Sequence, residues 1–415
     1  MIKMAWWMRF NQFLTPKRMA YAWITGIVLW VAWIVSILAG GGKMDLAGHV
    51  VGTDYVQFYA AGLTVARGDS DKLYDFTYQS QLEREISGPE LTGYHAFITP
   101  PFLAWLFVPF SLLPYGYSFA LWSLLGLLCL LASIALLNRD HLLRYFLLAL
   151  TWFPVFASIS FGQNSLLSLV IMSSVYVLWR KQHRFLAGLT CSLLLYKPQL
   201  VLGIALLWLL DVRRDKNGLF GLLTGGGVLA GMCFGLMPEA SIAYLAFSKN
   251  ILPGMIYWAQ FPLWHDHTIR SFWLLLIPGQ RNIADILTLI CSLLALIAFI
   301  RFWLQHRREP VLLFASAICF TILITPHAMI YDWVILLIPA VLLWKDKPEL
   351  QHLWKAVYSI IWVISFISGS LTFAQINTLH FAIQISVPIY VFALFSAYNA
   401  LQEKSDDQKT ALLQV

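Results

Sequence analysis

Six stretches of this chain, 20–40, 115–137, 219–237, 283–303, 356–374 and 381–400, stay apolar for about the thickness of a lipid bilayer. A helix rises about 1.5 Å per residue and the hydrocarbon layer is roughly 30 Å, so about 20 apolar residues span it. Weaker or shorter apolar runs occupy 145–160, 164–179, 311–326 and 331–344. Block 185–210 is broken at Lys197-Pro198. Proline removes a donor and biases the residue before it away from helix, so this block reads as two short helices meeting at Lys197. Charged residues make up 12% of the chain, against about 25% in a soluble domain. Lipid must therefore be the solvent. The expected fold is all-α, a polytopic membrane bundle forming one domain over 1–415, because no long polar linker divides it. The first run is too long for a cleavable signal and lacks a small-residue cleavage site, so it is expected to remain as a span.

Basic residues set orientation, since short cytoplasmic loops are rich in Lys and Arg. Clusters occur at Lys3/Arg9/Lys17/Arg18, Arg139/Arg144, Arg180/Lys181/Arg184, Arg213/Arg214/Lys216, Arg301/Arg307/Arg308, Lys345/Lys347/Lys355 and Lys404/Lys409, which together hold 20 of the 28 Lys and Arg. One topology puts all of them inside: about twelve crossings with both termini cytoplasmic. It needs 185–210 to cross twice and 99–113 to be a shallow or re-entrant helix. The net charge of +7 then reflects membrane orientation and implies no nucleic-acid partner. Five cysteines, Cys129, Cys191, Cys233, Cys291 and Cys319, sit in apolar runs without metal-site spacing and read as packing residues. Gly225-Gly226-Gly227 reads as close helix packing. There is no phosphate loop of Walker or Rossmann spacing.

The remainder forms the outer face. It comprises the first loop (41–114, with interfacial helices), the turn at 161–164, the Lys197 apex, a second loop (238–282) and the turn 326–332. The first loop carries Asp45, Asp54, Asp69, Asp71, Asp75, Glu83, Glu85 and Glu90. Asp54, just outside the first span, is either a working carboxylate or the cap of a helix over 55–67. Tyr55, Phe58 and Tyr59 follow it as on an interfacial helix. Asp75 reads as a cap. A lysine at membrane depth such as Lys197 is costly; it either snorkels to the interface or supplies a point charge for a phosphate or carboxylate. Arg270, in Trp264-His265-Asp266-His267-Thr268-Ile269-Arg270, is an interfacial anchor or a fork for a phosphate. His265 and His267 have a spacing that could meet one ion, but no third ligand is evident nearby. His327 and Asp332 flank an outer turn, where they either cap helices or hold substrate hydroxyls. Gln163 and Asn164 either cap a turn or offer amides to a sugar.

The order Asp54-Tyr55, Tyr59-Ala60-Ala61-Gly62, Gly68, Leu73-Tyr74-Asp75, Thr99-Pro100-Pro101-Phe102, Pro109, Leu113-Pro114, Leu121-Trp122, Gly162-Gln163-Asn164, Ala187-Gly188, Lys197-Pro198-Gln199 and Pro326-His327 resembles glycosyltransferase family 87. That family contains polyprenol-phosphate-mannose-dependent mannosyltransferases of the GT-C membrane fold. The resemblance runs over about 50–345. It implies a GT-C-like bundle in the cell inner membrane, with the active site extracytoplasmic. It also implies a hexosyltransferase that moves a sugar, mannose in most of the family, from a polyprenyl-monophosphate donor to a glycolipid, glycan or other membrane-proximal acceptor with inversion. Asp54 would be the general base. Lys197 and Arg270 would bind the donor phosphate, and Tyr55, Tyr59, Gln163, Asn164, His267, His327 and Asp332 would bind substrate. No cofactor or metal is implied, since Lys and Arg can meet the leaving phosphate.

Two other function classes compete. A transporter or flippase of a polar lipid needs polar residues near the midplane, reachable from both sides, and often shows matched breaks in two halves. The break at Lys197-Pro198 has no partner in the second half, and the polar residues gather at one end of the spans. A structural membrane subunit leaves Lys197 and the acidic loop without a role.

Overall fold

The computed structural model describes residues 14–413 except 89, 90, 92, 259 and 260; side chains at 16, 19 and 404–413 are also outside the description. Lys3, Arg9 and Glu90, and the side chains of Lys404 and Lys409, therefore lie outside the described residues. Among these residues the chain is all-helical, apart from isolated bridges such as Asp266 with Met329.

Five helical segments are long and apolar enough to span a bilayer: Ala20–Ala39, Tyr115–Leu137, Val212–Leu236, Arg281–Gln305 and Pro348–Leu379. A sixth arises if Leu142–Leu150 and Phe153–Ser160, bent by 72° at their junction, count as one broken span. The chain is thus a polytopic helical membrane protein. The outer faces of these helices are apolar, with Ile24, Ile27, Val28 and Val31 exposed on the first and Leu289, Leu293, Leu294 and Ile297 on the fourth. Such faces would be a liability in water and are what lipid requires. The remaining apolar helices are shorter, among them Arg184–Tyr196 and Pro198–Leu210. At 1.5 Å per residue each rises only about 20 Å, less than the hydrocarbon layer. Of the expected twelve crossings, five or six correspond to helices of full spanning length among the described residues.

The chain divides into two compact units. The first comprises residues 26–150 and 154–261. Its loop after α1 (Pro16–Ala39) folds into α2 (Tyr55–Ala66) and α3 (Phe76–Ser87), followed by α4 (Phe102–Ser111) and α5 (Tyr115–Leu137). Asp75 caps α3, its carboxylate accepting from the Thr77 and Tyr78 amides at 2.8 and 3.0 Å, as the sequence suggests. Gly62 of α2 lies directly on the Phe107 backbone of α4. After α6 (Leu142–Leu150) and α7 (Phe153–Ser160) comes α8 (Ser165–Arg180). The break expected at Lys197 is present: α9 (Arg184–Ser192) and α10 (Leu202–Leu210) are joined by two short 3-10 turns that meet there. Helix α11 (Val212–Leu236) runs along α9 with its backbone touching, Gly188 on Gly218, Gly221 on Phe185 and Gly225 on Ser192. Small residues permit such an approach. Helix α12 (Pro238–Asn250) follows.

The second unit comprises residues 1–25, 151–153 and 262–415. It holds α13 (Ile269–Leu276), α14 (Arg281–Gln305), α15 (Pro310–Ile324), α16 (Leu337–Asp346), α17 (Gln351–Leu379) and α18 (Ser386–Leu413). Phe299 of α14 stacks on Phe320 of α15 at 4.7 Å. Trp333 and Trp354 are among the largest fully buried side chains.

Candidate active site

Asp54 directly precedes α2, yet its side chain caps nothing. Its position is fixed by two glycine turns. Gly52 (φ +73°) and Gly162 (φ +65°) both occupy the left-handed region, which glycine enters without steric cost. A Cβ at Gly162 would strike the Cβ of Tyr55. The turns are tied together by the Asp54 amide donating to the Phe161 carbonyl at 3.0 Å and by the Trp122 indole donating to the Gly162 carbonyl at 3.0 Å. Tyr55 braces this arrangement from below. It is wholly buried, its hydroxyl lies 2.6 Å from Ser118, and its ring packs against Trp122, Phe119 and Phe107. Tyr59 is also buried and donates to the Leu113 carbonyl at 2.9 Å. The expectation of an exposed aromatic face on α2, with Tyr55 and Tyr59 reaching substrate, is therefore corrected: these rings are core, because α4 and α5 cover them.

The released carboxylate of Asp54 is held from both sides. Gln163 Nε2 donates to Oδ2 at 2.7 Å, and His95 Nδ1 lies 3.4 Å from Oδ1. The side chain remains 23% exposed, so a reactant has access to it. His95 is itself anchored, its backbone amide donating to Glu83 Oε2 at 3.0 Å. Burial pushes Glu83 up to about 7, against the opposing pull of the His95 amide and charge. Burial alone would lower His95, but the hydrogen bond and charge of Asp54 and the charge of Glu83 outweigh it and hold the imidazole above its ordinary value. A carboxylate oriented by donors and open to solvent is suited to taking a proton.

Lys197 joins the same turn from the other end. Its ammonium bonds Ser165 Oγ at 3.2 Å, two residues on from Gln163. Consecutive Cα atoms are about 3.8 Å apart, so the residues that contact Asp54 and Lys197 are neighbours in space. Lys197 is only 9% exposed, so its side chain is packed within the protein. Asn164 lies between them, fully buried, with neither amide atom hydrogen-bonded and no cap made to α8. Two orphaned donor and acceptor atoms in a buried site are costly.

The remaining candidates belong to the second unit. Here the loop 263–268 and the turn 326–332 are brought together: the His267 amide donates to the Ala328 carbonyl at 2.9 Å, and the Ala328 amide to Asp266 Oδ1 at 3.2 Å. His267 Nδ1 lies 2.7 Å from Ser386 Oγ and its ring packs edge-on to Trp333. Gln384 donates to the Asp266 carbonyl at 2.8 Å and accepts from Ser368 and Thr372. Asp332 is buried and His327 half-buried. Arg270 Nε lies 3.6 Å from Asp285, which Arg281 also approaches at 3.7 Å. Two guanidinium groups thus approach the same carboxylate.

His95 and Glu83 are the neighbours of Asp54 that the sequence reading overlooks. A signal for Glu83 exists: Gln79, Glu83 and Ser87 recur every fourth position and are buried together with Leu82, a polar stripe on the inner face of an otherwise ordinary surface helix. A family model described as Glycosyltransferase family 87 matches residues 97–326, more than half of the chain. No curated protein and no solved structure matches it. The matched stretch contains Gln163, Asn164, Lys197, His267 and Arg270. Asp54, Glu83 and His95 precede it, and His327 and Asp332 follow it.

Proposed function

Because the chain belongs to glycosyltransferase family 87, we propose that this membrane glycosyltransferase moves a hexose, mannose by preference, from a polyprenyl monophosphate to a membrane-proximal acceptor at the extracytoplasmic face. The acceptor hydroxyl gives its proton to Asp54 as its oxygen bonds the anomeric carbon. The bond to phosphate breaks on the opposite face, so the configuration inverts. Charge grows on the leaving phosphate monoester, and Lys197 meets it as a fixed cation. Arg270 is a second cation able to grip a phosphate with its planar fork. Gln163 orients the base.

The observation that carries this reading is the Asp54 carboxylate. It is freed from capping, held by Gln163 and His95, and left accessible. The test is transfer of label from polyprenyl-phosphate [³H]mannose to membrane glycolipid extracts by the purified protein. Asp54→Asn is expected to lower turnover by about 10²–10⁴-fold, the usual worth of a general base, with insertion and thermal midpoint retained. Full turnover by this variant would remove Asp54 from the mechanism.

A further inference from the structure

Three features around Asp54 go unused by proton abstraction itself. Glu83 is 1% exposed, and its Oε1 makes no hydrogen bond. Its other oxygen holds the backbone of His95, not the ring, so the ring is free to face Asp54. Asp54 Oδ2 receives a neutral amide, whereas Oδ1 faces a group able to carry charge. The ionisable groups acting here are Asp54 ahead of α2, Glu83 and Arg84 on α3, His95 and Tyr94 on the following segment, and Tyr115 on α5. Arg84 is exposed. Asp54 thus faces the imidazole directly, while Glu83 holds the His95 backbone amide and acts on the ring as a nearby charge.

We propose that His95, carried by Glu83, is a positioning residue that clamps Asp54 as an imidazolium and thereby sets the upper pH limit of sugar transfer. This rests on the reading of Asp54 as base. An imidazolium donates a charge-assisted bond to a carboxylate, stronger and more directional than the neutral one. When Asp54 accepts the acceptor's proton its negative charge disappears. Glu83 then remains as the counter-charge, so the imidazolium is not stranded in a poorly solvated site. The sign follows from His95 being held above its ordinary value: the clamp is complete below that value and is lost as pH rises through it. Glu83, pushed up to about 7 by burial, gains its charge as pH rises through neutrality, and that charge then acts on His95.

The test is the pH dependence of kcat with the labelled polyprenyl-phosphate mannose assay, for the wild type, Glu83→Gln and His95→Gln in detergent or nanodiscs. Glu83→Gln keeps the shape but removes the charge; its upper limb is expected to move down by about half a pH unit or more, since loss of a nearby opposite charge lowers an imidazole's affinity for protons. His95→Gln keeps a donor that does not titrate. It is expected to lose about tenfold in kcat with little change in KM, and to lose the wild-type upper limb. A merely structural role for either residue would lower activity at every pH without moving the limb. An unmoved limb in either folded variant overturns the proposal, and the two substitutions lie on different segments, so one misfolded variant leaves the other decisive. If Asp54→Asn is inactive while both limbs stay in place, this inference fails alone; if Asp54→Asn is active, the base assignment fails first.

Discussion

Among the candidate site residues, Asp54 with His95 in one unit and Asp266 with its sequence neighbour His267 in the other have opposite electrostatics. At Asp54 the side chain is partly exposed, and the imidazole of His95 faces it directly, held above its ordinary value. At Asp266 the carboxylate is 0% exposed, has one oxygen without a hydrogen bond, and is pushed up by burial, with Asp332 adding to the push, to about 7. Its neighbour His267 is driven down by burial to about 3 and turns its Nδ1 to a serine hydroxyl. At His95 the facing carboxylate outweighs burial and favours the charged ring; at His267 burial prevails and favours the neutral ring. The first arrangement is suited to proton transfer and charge. The second is suited to stitching a loop to a turn by neutral hydrogen bonds, so His267 near neutral pH is an uncharged hydrogen-bonding group.

That contrast can be broken experimentally, and the largest effect belongs to Asp54→Asn, whose loss of turnover has no counterpart at Asp266. Next comes Lys197→Ala. It is expected to raise KM for the polyprenyl-phosphate donor by about tenfold or more, with a smaller change for the acceptor, because removing one charged partner of an anion typically costs about 1.5–3 kcal/mol. Equal losses for donor and acceptor would assign Lys197 to the scaffold. Asp266→Ala strands the Ala328 amide and should lower stability by about 1–3 kcal/mol, read as a drop in thermal midpoint. Asp266→Asn sharpens the same comparison. A carboxyl whose folded value lies near 7, against about 3.9 unfolded, binds its proton more tightly in the folded state. Its contribution to stability is therefore present at acid pH and declines as pH rises from about 4 to 7. The asparagine variant should lose that decline; an unchanged slope would mean Asp266 does not titrate there. The smallest effect is Asp75→Ala, about 1 kcal/mol for a lost helix cap, with transfer chemistry intact.

Features governed by local rules were legible in the sequence. The Asp75 cap, the break at Lys197-Pro198, the glycine contact at 225 and the long spans each follow from neighbouring residues. Asp54 and its partner Gln163 were picked out, but the bond between them bridges 109 positions, and no local pattern announces it. His95 lies in a stretch without periodicity, so nothing in its neighbourhood marks it. Tyr55 and Tyr59 were misread for the complementary reason. An aromatic row beside a membrane span suits an interface, and only the arrival of α4 and α5 converts it to core. Five or six crossings are carried by long helices among the described residues, and the shorter apolar runs are where composition and helix length give different counts.

The glycine seam between α9 and α11 bears on Lys197, which follows α9 through the 3-10 turn Leu193–Tyr196. Where main chains touch, there are no intervening rotamers to slide or repack, so this hairpin resists deformation as a strut does. Lys197 is mounted on that strut. Adjustment to ligands of different bulk must then come from whatever surrounds the ammonium, while the cation itself stays a fixed reference point.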